Sequence, residues 1–256
     1  MEFIDTHVHF YDEAFGDEAG EAIARSRAAG VSVMIQPDVG RSEREKMFEV
    51  GDRYPGILYQ MIGLYPGNVG EDWKEDIEDM LQYKNKGIVA IGEIGLDYHY
   101  SEETAPQQKE ALKAQLRLAA EMGLPVSIHL RDAWEDFFGV LEECRDLHPR
   151  GVIHAFSGTA GEWRRLEALG DWYAGIGGML TFKHSPLPDA VREIPLERIV
   201  LETDAPYLAP VPYRGKRNES TYIPVIAGFL AGTKETTIER VAEVTTANAR
   251  KLFKLP

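Results

Sequence analysis

The pattern that most limits what this chain can fold into is an alternation of two kinds of segment. Eight short β-forming runs occur in order: "FIDTHVH", "VSVMIQ", "ILYQMIGL", "IVAIGEIGL", "PVSIHL", "GVIHAF", "WYAGIGG" and "RIVLETD". Between them lie stretches with helical periodicity, at 18–29, 41–54, 72–83, 107–122, 133–147 and 161–169. Short apolar strands separated by helices build βαβ units, whose strands run parallel. Eight of them within 256 residues predict one domain spanning 1–256, an α/β fold of the closed (β/α)8 TIM-barrel type rather than an open doubly wound sheet. Thr236 and Glu239 have capping-box spacing, and Ile238, Val241, Thr245, Ala249 and Leu252 form the stripe of a last helix. The seventh crossover, "TFKHSPLPDAVREIPLE", holds three prolines and leaves room for a short helix only.

Barrel active sites are built at the C-terminal ends of the strands, so the residues there carry the functional reading. In "FIDTHVHF", residues two apart share a face, which lines up Asp5, His7 and His9. The fourth run carries Glu93 and is followed by Asp97; the fifth ends in His129, the sixth in His154, the eighth in Glu202 and Asp204. Four of the seven histidines fall in this set. Singly, each has an ordinary reading: a satisfied core histidine, a glutamate paired with a buried arginine, an aspartate capping the turn before Pro206. Together, at equivalent ends of parallel strands, His7, His9, Glu93, His129, His154 and Asp204 converge on one mouth. Four imidazoles and two carboxylates exceed the needs of one tetrahedral ion and suit two divalent ions bridged by Glu93. Such mixed ligands fit Zn, Mn, Fe or Co and leave weakly held Mg open, so the metal is not distinguished.

Composition narrows the rest. A formal charge of −14 excludes a broad basic surface, though not a nucleic-acid substrate, because bound cations can offset local carboxylates. No apolar run is long enough to span a bilayer, no signal peptide is visible, and the lone Cys144 suits a reducing, cytoplasmic setting. No obligate protein partner is evident. "GEIG" lacks the dinucleotide pattern, and no phosphate-loop motif occurs. Gly175, Gly177 and Gly178 either admit substrate or relieve crowding. Asp132 reads as the N-cap of the next helix, Arg131 as either a contact to an anionic substrate or a surface ion-pair residue, and "EDWKEDIED" as a solvated helix face. "RGKRN" is a basic loop that either grips phosphate or is simply solvated; His99, His148 and His184 show no partners.

With "DTHVHF", "GEIGLDYHY", "PVSIHLRDA", "HAFSG", "LETDAPYLAP", "RGKRNES" and "TTANARKLF" in order, the chain resembles the TatD-type deoxyribonuclease family of metal-dependent hydrolases. The resemblance implies a barrel, two divalent ions and hydrolysis of DNA, with ligand positions on the same six residues. Arg131 and the Arg217–Asn218 pair also fall in family motifs. Tyr65 stands where the family usually carries a histidine near the scissile phosphate, Ala155 where a cysteine is usual, and Ser220 where proline is common, which predicts a less rigid loop. In this reading Asp204 takes the proton of the attacking water, Glu93 bridges the ions, and Tyr65, Arg131 and Arg217 face the substrate. Two rivals remain: an amide, lactone or phosphotriester hydrolase on the same barrel, and a metal-stabilised binding protein without turnover. The glutamate, in place of a lysine, in the fourth run favours the nuclease-like arrangement by analogy.

Overall fold

The structure, a computed structural model, describes residues 1–256. Eight strands, β1 (Phe3–Asp5), β2 (Val31–Gln36), β3 (Leu58–Ile62), β4 (Ala90–Asp97), β5 (Val126–Arg131), β6 (Arg150–Ile153), β7 (Asp171–Ile176) and β8 (Ile199–Leu201), pair in chain order, all parallel. The cylinder closes between β8 and β1. There Thr6 N donates to Leu201 O (3.0 Å), Asp204 N to His7 O (2.9 Å) and His9 N to Ala205 O (2.8 Å). The outer ring comprises α1 (Ala19–Ala28), α2 (Arg41–Asp52), α3 (Trp73–Met80), α4 (Ala105–Met122), α5 (Trp134–Glu143), α6 (Ala160–Leu169), a short α7 (Leu187–Glu193) and α8 (Ile223–Thr233).

A ninth helix, α9 (Ile238–Phe253), determines which end stays open. Inward side chains of the strands, among them Ile4, Val33, Ile35, Met61, Val152 and Val200, form one apolar cluster with Ala249, Leu252 and Phe253 of α9. Asn248 Nδ2 donates to the carbonyls of Leu196 and Ile199, and Thr246 Oγ1 to that of Glu2, all at strand beginnings. The N-terminal end is therefore plugged, and only the C-terminal mouth is free for chemistry.

The closing seam carries a buried carboxylate. Asp5 is fully buried and accepts from Thr203 N (3.0 Å), Thr203 Oγ1 (2.6 Å), Ser220 Oγ (2.6 Å) and His7 N (3.2 Å). Burial pushes its carboxyl up to about 7, although these donors pull the other way. Asp5 thus staples β1 to the chain beyond β8 and does not join the imidazoles of His7 and His9, contrary to the face expected of a straight strand. Ser220, expected to loosen its loop, instead anchors it.

Other local expectations shift for identifiable reasons. α9 is capped by Thr237, whose side chain accepts from Arg240 N, one residue beyond the expected Thr236. A full capping box forms at Thr159 and Glu162, before α6. Asp132 caps nothing: its φ of 54° is left-handed, Ala133 takes the N-cap place, and its carboxylate goes to His99. The acidic face of α3 is only partly solvated. Asp79 reaches the buried Arg44 guanidinium (2.6 Å) and Asp76 reaches Arg41 (3.0 Å). The glycines at and just beyond the end of β7 relieve crowding: a Cβ on Gly175 would lie 2.2 Å from Glu202 Oε2, and one on Gly178 would lie 2.0 Å from Leu208 O.

Removing the serine donor tests the seam. Ser220→Ala is expected to destabilise the protein by about 1–3 kcal/mol, because a buried carboxylate oxygen loses a partner. The melting temperature should fall by about 2–12 °C. An unchanged melting temperature would mean that Asp5 does not depend on this loop.

Candidate metal centre

Five of the eight strands deliver one or two groups each to the mouth. His7 and His9 follow β1, Glu93 lies within β4, His129 within β5, His154 follows β6, and Glu202 and Asp204 follow β8. All six predicted residues come together. Glu93 Oε2 lies 3.3 Å from His7 Nε2, and Glu93 Oε1 lies 2.9 Å from His129 Nδ1. Asp204 Oδ1 lies 3.3 Å from His9 Nε2, 3.6 Å from His154 Nε2 and 3.8 Å from His7 Nε2. Two groupings have donor atoms close enough to share an ion: His7, His9 and Asp204; and Glu93, His129 and His154. A third draws on His7, His154 and Glu202. His7 Nε2 is buried without a hydrogen-bond partner.

The contacts behind the imidazoles decide which nitrogen each presents. Tyr11 donates its hydroxyl proton to Pro37 O (2.7 Å), so its oxygen can only accept from His9 Nδ1 (2.9 Å). The Nε2 lone pair of His9 is then left for the mouth. His129 Nε2 donates to Asp97 Oδ2 (2.8 Å), which frees Nδ1 beside Glu93. His154 Nδ1 lies 3.0 Å from Glu202 Oε1, which leaves Nε2 beside Asp204. Carboxylate or hydroxyl partners behind the rings fix tautomer and orientation in this way at metal sites. Glu202 is itself held by Ala155 N (2.6 Å). Glu93 is held through its backbone: its N donates to Asp38 O (2.8 Å), and Asp38 N donates to Gly92 O (3.0 Å). Asp38 is pinned in turn by Arg44 Nε (2.6 Å), Gly40 N and Gly63 N.

The groups open into a cavity of about 950 Å³ lined by Tyr65, Arg131 and Tyr207 among others. Tyr65 donates to Asp97 Oδ2 (3.3 Å) and sets its ring edge-on to His129. Arg131 stands on the rim, with its guanidinium 5.5 Å from the Tyr100 ring centre. Arg217 does not line the cavity; it is held by Glu18 (2.7 Å), Glu219 (3.0 Å) and Ala14 O (2.8 Å). Arg214 lies over Phe182 and Lys216 over Tyr213, so the basic loop is tied down on its own side.

A family model described as "TatD related DNase" matches residues 4–254. The chain belongs to the TatD family. It is thus a member of a family of metal-dependent hydrolases. It is 36% identical to "Uncharacterized metal-dependent hydrolase YabD" of Bacillus subtilis, over 98% of each chain. It is 34% identical to "3'-5' ssDNA/RNA exonuclease TatD" of Edwardsiella piscicida, over 98% of this chain and 99% of that one. Among solved structures, the TatD homologue YJJV of Escherichia coli superposes with a TM-score of 0.90 at 28% identity, covering 99% of this chain and 98% of that one.

Within this TatD-family site, several residues escaped sequence reading. Tyr11 lies one residue beyond "DTHVHF" and carried no signal of its own, yet its hydroxyl reaches His9. Asp97 was visible four residues after Glu93 but had no evident partner. His99, expected to stand alone, pairs with Asp132 (2.8 Å) and lines the cavity.

The charges form a coupled set. Burial opposes the charged form of His154, but Glu202, Asp204 and Glu93 outweigh it and raise its pKa to about 10. Burial likewise opposes the charged form of His129, but Asp97 and Glu93 raise its pKa to about 9. His7 goes the other way: burial and the neighbouring His154 lower it despite Glu93. Burial disfavours ionised Glu93, yet His7, His129 and His154 hold it well below the usual carboxylate range. In the metal-free protein, the raised values of His129 and His154 contribute stability fully present below about pH 6.5. That contribution is lost as pH rises through about 9 to 10. At about pH 7, ring-nitrogen NMR of metal-free protein should find His129 and His154 doubly protonated and His7 neutral. Glu202→Gln should move the His154 midpoint down, because it removes the leading favourable charge; a midpoint that stays put would show that Glu202 does not set it.

Proposed function

We propose that this TatD-family chain hydrolyses phosphodiester bonds in nucleic acid, DNA in the first instance, using two divalent ions. The observation that carries the reading is the division of labour at Glu93: one carboxylate oxygen faces His7 and the other faces His129. A bridging carboxylate with separate imidazoles on either side is the donor set expected of a two-ion clamp. The residues fit such ions: His7 Nε2 is buried with carboxylate oxygens of Glu93 and Asp204 at 3.3 and 3.8 Å and makes no aligned hydrogen bond, as a donor atom awaiting a cation would. His7, His9 and Asp204 would hold one ion, His129 and His154 the other, with Glu93 between them. When bound, the ions would polarise the phosphoryl oxygens and acidify a water.

The remaining work falls to the chain. Burial disfavours ionised Asp204, but the imidazoles of His154, His9 and His7 keep its carboxyl below the usual range, so it faces the cavity as a carboxylate; its place at the mouth, rather than its basicity, assigns it the proton of the attacking water. Glu202, Asp97 and Tyr11 hold the rings in place. Arg131, at the rim, is placed to contact an anionic substrate. Tyr65 stays a neutral phenol, since burial and the carboxylates of Glu93 and Asp97 push its pKa up. It serves as a hydrogen-bonding wall rather than a base. The single-strand exonuclease activity in the name of the Edwardsiella relative points to single-stranded ends as the first substrate to try.

Digestion of end-labelled single-stranded DNA with each divalent metal in turn is the direct test. Metal-dependent release of nucleotides is expected, and Asp204→Asn should lower kcat by about 10²–10⁴-fold. Full activity in that variant would remove Asp204 from the chemistry, and hydrolysis of small esters or amides but not DNA would remove the nuclease reading. Because His129 and His154 are protonated when metal-free, loading should release protons and affinity should rise with pH up to about 9. Titration calorimetry in buffers of differing ionisation enthalpy measures both effects, and pH-independent loading without proton release would contradict the assignment.

A further inference from the structure

The cavity presents an electrostatic difficulty for a nucleic-acid hydrolase. Besides the ligand groups, its lining includes Asp12, Glu13, Glu43 and Asp132, against one arginine, Arg131, and no lysine. The chain as a whole carries a formal charge of −14. Phosphate contacts to basic side chains, the usual source of affinity for nucleic acid, are therefore scarce. Beyond whatever ions the site holds, something other than basic side chains must help grip a strand at this mouth.

The exposed aromatic residues answer this. The large apolar side chains left exposed are Met1, Tyr100, Tyr207 and Phe229. Scattered exposed residues mean little, but two of these four stand at the mouth. Tyr100 follows β4 and is 88% exposed; Tyr207 follows β8 and is 53% exposed. In an eight-stranded barrel with strands in chain order, β4 and β8 lie on opposite sides. Tyr207 lines the cavity, with its hydroxyl donating to Asp12 (2.7 Å). Tyr100 sits next to His99 and beneath the Arg131 guanidinium, both of which line the cavity. No buried packing explains so open a ring.

We propose that Tyr100 is a base-stacking platform for a single-stranded substrate, with Arg131 beside it for the adjoining phosphate and Tyr207 across the mouth as a second contact. The proposal rests on the nucleic-acid reading above and deepens it. Stacking on an aromatic ring is tolerant of sequence and needs an unpaired base, so the site favours single strands over duplex. It also supplies affinity without positive charge.

The test uses the metal-loaded enzyme with short oligothymidylate and an abasic strand of equal length, which keeps the phosphates and removes the bases. KM for the thymidylate strand should lie about tenfold below that for the abasic strand. Tyr100→Ala should raise KM for thymidylate about tenfold, leave its kcat nearly unchanged, and leave the abasic strand unaffected. Tyr100→Trp should restore the low KM. Because Tyr100 is exposed and packs into no core, the variants should fold. Turnover of both strands with an unchanged KM in Tyr100→Ala, or an equal rise on both strands, overturns the stacking role and leaves the nuclease reading intact. No turnover of either strand by the wild type with any metal overturns the nuclease reading itself, and the stacking role with it.

Discussion

The structure depends on the closure of the barrel between its first and last strands. His7 and His9 sit near one end of the sequence and Asp204 near the other. They meet because backbone hydrogen bonds cross the seam and because Asp5, fully buried, accepts from Thr203, Ser220 and His7 N at once. A buried carboxylate is expensive unless its lone pairs are satisfied. Here that requirement has a structural consequence: only the closed arrangement supplies the donors.

The same logic recurs beneath the mouth. Arg44 is 1% exposed and bonds Asp38 and Asp79, tying α2 and α3 to the loop that holds the backbone of Glu93. Burial pushes the Asp38 carboxyl up to about 6 even with the guanidinium beside it. Such a pair adds little net stability over apolar packing, but breaking one partner strands the other. Its value here is geometric, since it fixes the strand on which the central carboxylate rides. Behind the histidines, Tyr11, Asp97 and Glu202 do the corresponding work for ring orientation. The mouth is thus a ring of imidazoles and carboxylates that could hold metal ions, backed by polar groups. The small residues make room for both, as Gly175 does for Glu202.

Much of this was legible from the chain. The strand–helix alternation specified the barrel, and the ends of five strands specified the six residues that converge. Legibility stopped at contacts between elements. The face shared by Asp5, His7 and His9 is that of a straight strand, whereas β1 is interrupted after Asp5 and resumes as a bridge from Val8 to Ala205, with the Asp5 carboxylate taken by Thr203 and Ser220. The cap falls at Thr237 because the Thr236 backbone N is already spent on Ala231 O at the end of α8, and Asp132 does not cap because its side chain goes to His99. The acidic run on α3 looked solvated because its partner, Arg44, lies on a different helix.

By itself the sequence determined the strand order and the identity of the groups that converge at the C-terminal mouth, because periodicity and position along a strand are local properties of the chain. Only the tertiary structure decided which ring nitrogens of His9, His129 and His154 face the mouth, which groups stand behind them, and that Arg217 is occupied by Glu18 and Glu219 away from the cavity. Those outcomes turn on distances of a few ångströms between residues far apart in the chain, and no spacing within a single segment encodes them.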